Sequence, residues 1–370
     1  MKSYSLLPML PALSVFSACG IATTQDRSAR FLEKWNIANN PIRFGHYERN
    51  FQKLHLDGHT TKTAWSDTYW PSNRGGISAR WNNSNPLDFI YESPTLDAVK
   101  GMRPADLAKL SPAEKYDIYV GNYTYPTVRA ERLRTSKNDA SWEGLCHGWA
   151  PAALHFDEPK PVLLKGANDV EIPFGSSDIK ALLTYVDAEY NTTPLRWLGT
   201  RCNVDLNQHP EKKNTPACRD TNSGAFHVVI ANEIGLNHNG FVADIERGKQ
   251  VWNQPITGFS TQVLGERPPS EQAAPGTVKE IDIETHMNYA VENSAAWNMI
   301  DASDSTSSAT YLYSVELDAN GNILGGSWKS DDRPDFLWMQ DAPEFVGEFS
   351  KIQEIYKASI ATQNAFPEPQ

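Results

Sequence analysis

Apolar positions along this chain change period near its middle. In the first half they fall at helical spacing. Ser111-Pro112-Ala113-Glu114 is a helix start in which serine caps, proline suits the first turn and glutamate reaches back. Ser176-Ser177-Asp178 opens a second helix into IKALLTYVDAEY, whose apolar residues recur every three or four positions. Between them, ASWEGLCHGWAPAALHF predicts a helix starting near Ser141, with Glu143 in its first turn and Pro151 limiting its extent. The texture then turns to strands. Phe226 to Ile230 is a β-branched run, Gly240 to Ile245 is another, and Tyr311 to Leu317 alternates. Asp318-Ala319-Asn320-Gly321-Asn322 before Ile323-Leu324 predicts a hairpin. Helices followed by strands imply an α+β fold.

Punctuation divides the chain into four stretches. Residues 1–22 read as an export signal: Lys2, an apolar run from Tyr4 to Phe16, and the small pair Ser17-Ala18 before a cut. That run is shorter than the roughly 20 residues a membrane-spanning helix needs. Cys19 follows Phe16-Ser17-Ala18, which resembles a bacterial lipoprotein box and makes Cys19 a candidate for lipidation. Residues 23–75 form a polar N-terminal extension with an aromatic cluster at Trp65, Tyr69 and Trp70. Residues 76–345 are the expected catalytic core, and 346–370 a C-terminal helix and tail. Gly265 to Gly276 reads as a surface loop. No later segment is long and apolar enough to span a membrane. A secreted, periplasmic or envelope location follows, with a lipid anchor depending on Cys19.

Composition narrows the partners. With 370 residues and 40% hydrophobic content, the chain can bury a sizeable core. Its net charge of −11 argues against nucleic acid, which requires clustered cations, and favours neutral or cationic substrates. In an oxidising compartment, Cys202 and Cys218, bracketing a polar loop, are the natural disulfide pair. Cys19 belongs to the signal, which leaves Cys146 alone. By count alone, a lone cysteine is more often an inert core residue than a nucleophile.

Position argues the other way. A cysteine in the first turns of a helix has its thiolate favoured by unpaired amides and the dipole, and its own N–H can help hold an oxyanion. Gly144 leaves room for a substrate backbone, and Trp142 and Trp149 are candidates to line a cleft. Acyl transfer also needs a base and a group to orient it. His227 heads the run HVVIANEIG, and Asp244 lies in the next strand, FVADIE. Neighbouring strands would set the two side by side, with Glu233 an alternative orienter. His147 and His155 are close to Cys146 in sequence but would point elsewhere, and His238 sits in a turn. Cys146, His227 and Asp244 follow the papain and transglutaminase order. The 81 residues from Cys146 to His227 are fewer than the roughly 130–150 of papain-type proteases.

Several tryptophan-rich motifs add to this. Residues 251–259, VWNQPITGF, closely resemble the signature peptide of the oomycete transglutaminase elicitor family, a group also represented in marine bacteria. WSDTYWP at Trp65–Pro71, RGGISARW at Arg74–Trp81, WEGLCHGWAPAA at Trp142–Ala153, NILGGSW and RPDFLW resemble the same family in the same order. The resemblance implies a papain-like core, a Cys146-bearing helix on an antiparallel sheet, and calcium-dependent crosslinking of protein glutamine to lysine. It implies Cys146 as nucleophile, His227 as proton shuttle and Asp244 as its orienter. Trp252 becomes a further cleft candidate, although a packed strand and turn near the site is the plainer role for VWNQPITGF. The calcium ligands are unknown: Asp318, Asn320 and Asn322 alternate like ligands, and a hairpin turn explains them better. After Phe259 the chain departs from the family's peptide. Rival readings are a papain-like protease or amidase, a deamidase with water as acceptor, and a secreted binding or adhesion module.

Overall fold

A computed structural model describes residues 33–83, 89–213, 215, 218–301 and 305–370. The expected export signal and Cys19 lie outside the described residues. Among the described residues eight α-helices run in order: α1 (Leu96–Gly101), α2 (Pro104–Leu107), α3 (Pro112–Tyr119), α4 (Pro126–Arg134), α5 (Cys146–His155), α6 (Ser176–Tyr190), α7 (Ser223–Ile230) and α8 (Ser350–Ala361). Ten strands accompany them: β1 (Asp57–His59), β2 (Val162–Lys165), β3 (Glu171–Phe174), β4 (Arg196–Gly199), β5 (Phe241–Asp244), β6 (Asn253–Arg267), β7 (Lys279–Ala290), β8 (Thr306–Leu317), β9 (Ile323–Trp328) and β10 (Phe336–Met339). The fold is mixed helix and sheet, as the pattern implies.

The main sheet is antiparallel, in the order β4-β10-β5-β6-β7-β8-β9, with β1 paired to β6. Register shifts in the β6/β7 pair, between Ile256 and Gly258 and between Val263 and Gly265, curl it. Side chains alternate between its faces. Val242, Phe336 and Trp338 join the core around α5 and α6, while Phe241, Ala243 and Leu337 join the core around α7. The sheet thus divides two apolar clusters.

The predicted helix starts form where local chemistry dictates them. Ser111 and Glu114 make a full capping box on α3. The Asp178 carboxylate accepts the Gly175 N–H at 2.7 Å at the start of α6, and also receives the buried Lys115 ammonium at 2.6 Å. That ion pair fixes α3 against α6. The hairpin at 318–322 forms as predicted: Asp318 accepts the amides of Asn320 and Asn322, each at 2.8 Å. Trp65 and Trp70 are buried in the core beside α5, so residues 57–70 are woven into the same body as the helices.

Three expectations fail. The surface loop expected from Gly265 begins only after Arg267, because Gly265–Arg267 pair with β7 as the end of β6. Phe226–Ile230 is helical, the body of α7, capped by Asn222 accepting from the amides of Gly224 and Ala225. A short, fully buried apolar run is compatible with strand or helix, and the cap decides. A further correction concerns α5, which begins at Cys146 rather than near Ser141. Ser72 N–H donates to Glu143 O at 2.9 Å and Leu145 N–H to Tyr69 O at 2.6 Å, holding the preceding residues outside the helix. Among the described residues, no helix is long and apolar enough to cross a membrane.

Candidate active site

Cys146 is the first residue of α5 and the one free cysteine among the described residues. Amides in the first turn of a helix have no partner within it, so the sulfur sits where backbone donors are available. The thiol is held from both sides. It donates to Val251 O at 3.7 Å and accepts from Asn253 Nδ2 at 3.5 Å. Trp338 Nε1 donates to Asn253 Oδ1 at 2.8 Å, which fixes the carboxamide with its amine toward the sulfur.

Asp244 belongs to the same constellation. It is the register partner of Asn253, on the sheet face that α5 covers. Its Oδ1 accepts the Trp252 amide at 2.9 Å and the Glu246 amide at 3.2 Å, whereas its buried Oδ2 has no partner. Burial raises its pKa to about 7, against the pull of those two amides. Burial also pushes the Cys146 thiol up to about 11, opposed by the Asn253 donors and reinforced by the charges of Glu292 and Asp244. The resting sulfur is therefore a thiol, not the thiolate expected from the helix position. It needs a base.

A cleft of about 590 Å³ opens on the sulfur, lined in part by Trp142, Gly144, His147, Arg201 and Phe336. Trp142, a cleft candidate by sequence, lines the cleft. Gly144 also reaches the cleft, but its lack of a side chain serves the fold: a Cβ there would stand 2.6 Å from Tyr69 O. Trp70, next in that segment, holds a positive φ of 50°, a strained backbone pressed against the site. Trp252, the further cleft candidate, is not among the residues that line the cleft; it is half-buried and meets the Tyr69 ring edge-on at 5.6 Å. Trp149 is corrected outright: it is fully buried in the core, facing away from the cleft.

His227 is not brought to Cys146. It lies on α7, in the cluster on the opposite face of the sheet, fully buried. Its Nδ1 shares a hydrogen bond with the Tyr313 hydroxyl at 2.9 Å, its ring stacks on Phe51 at 5.4 Å, and its Nε2 has no partner. Burial lowers its pKa to about 4, so it is a neutral packed imidazole. The expected side-by-side placement with Asp244 fails because α7 is a helix, and because Asp244 faces the other way. Glu233 is also on the α7 side, bonded to the Tyr47 hydroxyl. His155 is engaged by Asp187 at 2.9 Å and Gln340 O at 3.0 Å, and His238 sits in an exposed turn. His147 alone among the histidines lines the cleft; the walls around it, with Arg134, lower its pKa, although its ring stays open to solvent.

Asn253 and Trp338 are the site residues that sequence reasoning missed. Both lie in motifs singled out above: Asn253 in VWNQPITGF, whose plainer role is a packed strand and turn, and Trp338 in RPDFLW, which carries only the family resemblance. The Cys202–Cys218 disulfide forms as expected, with Cα atoms 4.6 Å apart. Arg201, beside it, reaches the cleft, and the Cys202 amide is anchored on Asp335 at 2.7 Å.

A family model described as transglutaminase elicitor matches residues 128–351, more than half of the chain. No curated protein matches. Among solved structures, the chain is similar to the GP42 transglutaminase from Phytophthora sojae, with a TM-score of 0.65 at 21% identity. The match covers 89% of this chain and 99% of that one, and at this identity it establishes a shared fold. The span of the family match includes Cys146, Asp244, Asn253 and Trp338, so the constellation just described lies within it, and the chain belongs to the transglutaminase elicitor family.

Proposed function

We propose that this protein is a cysteine acyltransferase that joins a protein glutamine to a lysine amine. The observation that carries the reading is Cys146 at the start of α5, opening on a cleft and gripped by Asn253. Family membership and the fold shared with GP42 transglutaminase support it.

In this reading Asp244 takes the role first expected of a histidine. A buried carboxylate with a pKa near neutrality is tuned for general acid–base work. Asp244 accepts the thiol proton as Cys146 sulfur attacks the glutamine carboxamide carbon. The oxyanion is met by Asn253 Nδ2 and the first-turn amides of α5, donors already fixed before reaction. Asp244 returns its proton to the nitrogen as the C–N bond breaks, and ammonia leaves a thioester on Cys146. The lysine amine then attacks the thioester carbon and loses its proton to Asp244, and the C–S bond breaks as Asp244 hands that proton to the departing sulfur, restoring the Cys146 thiol. Asp139 and Glu143 on the cleft, beside Arg134 and Arg201, offer carboxylates to an approaching ammonium. Export to the envelope or medium remains part of the proposal, resting on the first 22 residues.

The family resemblance implies calcium. The 318–322 turn does not fit it, because the Asp318 carboxylate is already spent on Asn320 and Asn322. Among the described residues, Glu33, Glu280 and Glu316 each bring an oxygen within 4.8 Å of the others and are the set that would hold it. Calcium there would neutralise buried carboxylates, and no step of the transfer passes through it.

Incorporation of a labelled primary amine into a glutamine-rich protein tests the reading. Wild type should incorporate label and Cys146→Ala should not. Ammonia release that depends on Cys146 but proceeds without amine incorporation would make water the acceptor and overturn the transferase assignment.

A further inference from the structure

Beyond the sulfur, the cleft runs on over an apolar shelf. Asn253, Asp244 and Phe336 are successive register partners across β6, β5 and β10, so the row that holds the chemistry ends on an aromatic ring. Two residues along β10, Trp338 stands opposite Trp197 on β4. The Trp197 ring stacks on Phe336 at 4.1 Å, with 22° between the planes. Leu195, just before β4, continues the shelf and is 53% exposed. Trp338, Phe336, Trp197 and Leu195 thus line the cleft from the residue that holds Asn253 outward to solvent.

Side-chain donors at this end are already occupied. The Trp197 indole N–H donates to Gly199 O at 3.2 Å. The Asn191 carboxamide donates to Asp187 Oδ1 and to Asp341 O, and accepts from the Thr193 amide and hydroxyl. Gln340 Nε2 donates to Thr193 O at 2.8 Å. A polar side chain settling here would lose water and meet no free donor among these groups, whereas an apolar one gains by burial. At about 590 Å³ the cleft is of a size that holds a whole small ligand, far more than one carboxamide. A lone exposed leucine needs no explanation, but Leu195 extends an aromatic floor that begins at the reacting atoms.

We propose that this shelf selects the glutamine donor by seating an apolar, preferably aromatic, side chain of the same peptide. The inference rests on the reading of Cys146 as the residue that takes an acyl group from glutamine. Strand spacing sets where the seated side chain lies. Strands stand about 4.8 Å apart, so β10 with Phe336 is about 10 Å, and β4 with Trp197 about 14 Å, across the sheet from Asn253. An extended peptide advances about 3.3 Å per residue and turns alternate side chains to one face. The seated residue is therefore two or four positions from the glutamine. A peptide that is polar at those positions forgoes the shelf and keeps the chemistry. Leu195 and Trp197 set specificity and take no part in proton transfer.

The test uses the full chain and glycine–serine peptides with one glutamine, in which a single phenylalanine is walked along both sides of it. Labelled-amine transfer gives kcat/KM for each peptide, and calorimetry gives the affinity of full-length Cys146→Ala for the same set. Phenylalanine two or four positions from the glutamine should raise kcat/KM at least about tenfold over serine, through KM. The same peptide should bind Cys146→Ala at least about tenfold more tightly than its serine counterpart. Leu195→Asp should cut both ratios to about threefold or less. Leu195 belongs to neither apolar cluster, so its replacement leaves the core intact. Amine transfer with no preference at any position overturns the shelf and leaves the acyl-transfer reading standing. So does a preference that Leu195→Asp leaves undiminished. Tighter binding of the phenylalanine peptide with neither amine transfer nor ammonia release upholds the shelf and overturns the acyl-transfer reading.

Discussion

The two faces of the main sheet each bury a titratable side chain among aromatic rings, and they put it to opposite uses. On the α5 face, Asp244 is charged up to a near-neutral pKa by burial, keeps one oxygen free, and neighbours a thiol that opens on a cleft. On the α7 face, His227 is stacked on Phe51, bonded to Tyr313 and closed off from solvent. By residue type the histidine is the better base. By position the carboxylate is the only one of the two on the same side of the sheet as the sulfur. A candidate catalytic group has to be judged by the face its strand or helix presents, and a spacing along the chain does not carry that information.

Four substitutions sharpen this contrast, in falling order of effect. Cys146→Ala should abolish amine incorporation while the chain stays folded, as judged by its melting transition. Asp244→Asn should lower kcat by roughly a hundredfold to ten-thousandfold, the usual worth of a general base. It should also remove the rise in rate that wild type shows as pH increases through about 7, where the carboxyl ionises. The sign for stability is opposite. A carboxyl whose folded pKa is raised stabilises below its ordinary value of 3.8 and loses that contribution as pH rises through about 7. Asp244→Asn should therefore gain stability over wild type in alkaline melts. Trp338→Phe keeps the ring but deletes the donor that orients Asn253, and should slow turnover by about tenfold, the worth of one hydrogen bond. His227→Phe should leave kcat within about threefold, because it removes no group on the α5 face.

Stability gives His227 its own signature. Its folded pKa lies below the ordinary 6.5, so the unfolded chain takes up protons that the fold refuses. Wild type should lose stability as pH falls from about 6.5 to about 4, on the order of 3 kcal/mol relative to His227→Phe, and no more below that. Parallel acid melts of the two proteins would show it. Parallel curves that never diverge would mean the imidazole is solvated.

The same contrast explains what could be read from the chain beforehand. Features set by a few adjacent residues were legible: the Ser111–Glu114 capping box, the start of α6, the Asp318 turn and the Cys202–Cys218 bridge. Cys146, singled out by its motif as the candidate nucleophile, lies at the start of α5 on the cleft. Features set by distant contacts were not. The α5 start is fixed by the Tyr69–Ser72 segment, some seventy residues upstream, and Trp149 turns inward because α5 packs on α6. Phe226–Ile230 has the composition of a strand, and only the Asn222 cap and burial on all sides make it α7. Asn253 and Trp338 come from separate strands, meeting at the sulfur only once β6, β5 and β10 are in register. Sequence order could not pair them.

The most direct test of the account is labelled-amine incorporation by Asp244→Asn and His227→Phe, measured side by side at equal folded fraction. The account predicts near-wild-type turnover for His227→Phe and a loss of at least about a hundredfold for Asp244→Asn. Loss of turnover in His227→Phe with Asp244→Asn still active would contradict it, and would mean that the working enzyme brings α7 to the sulfur.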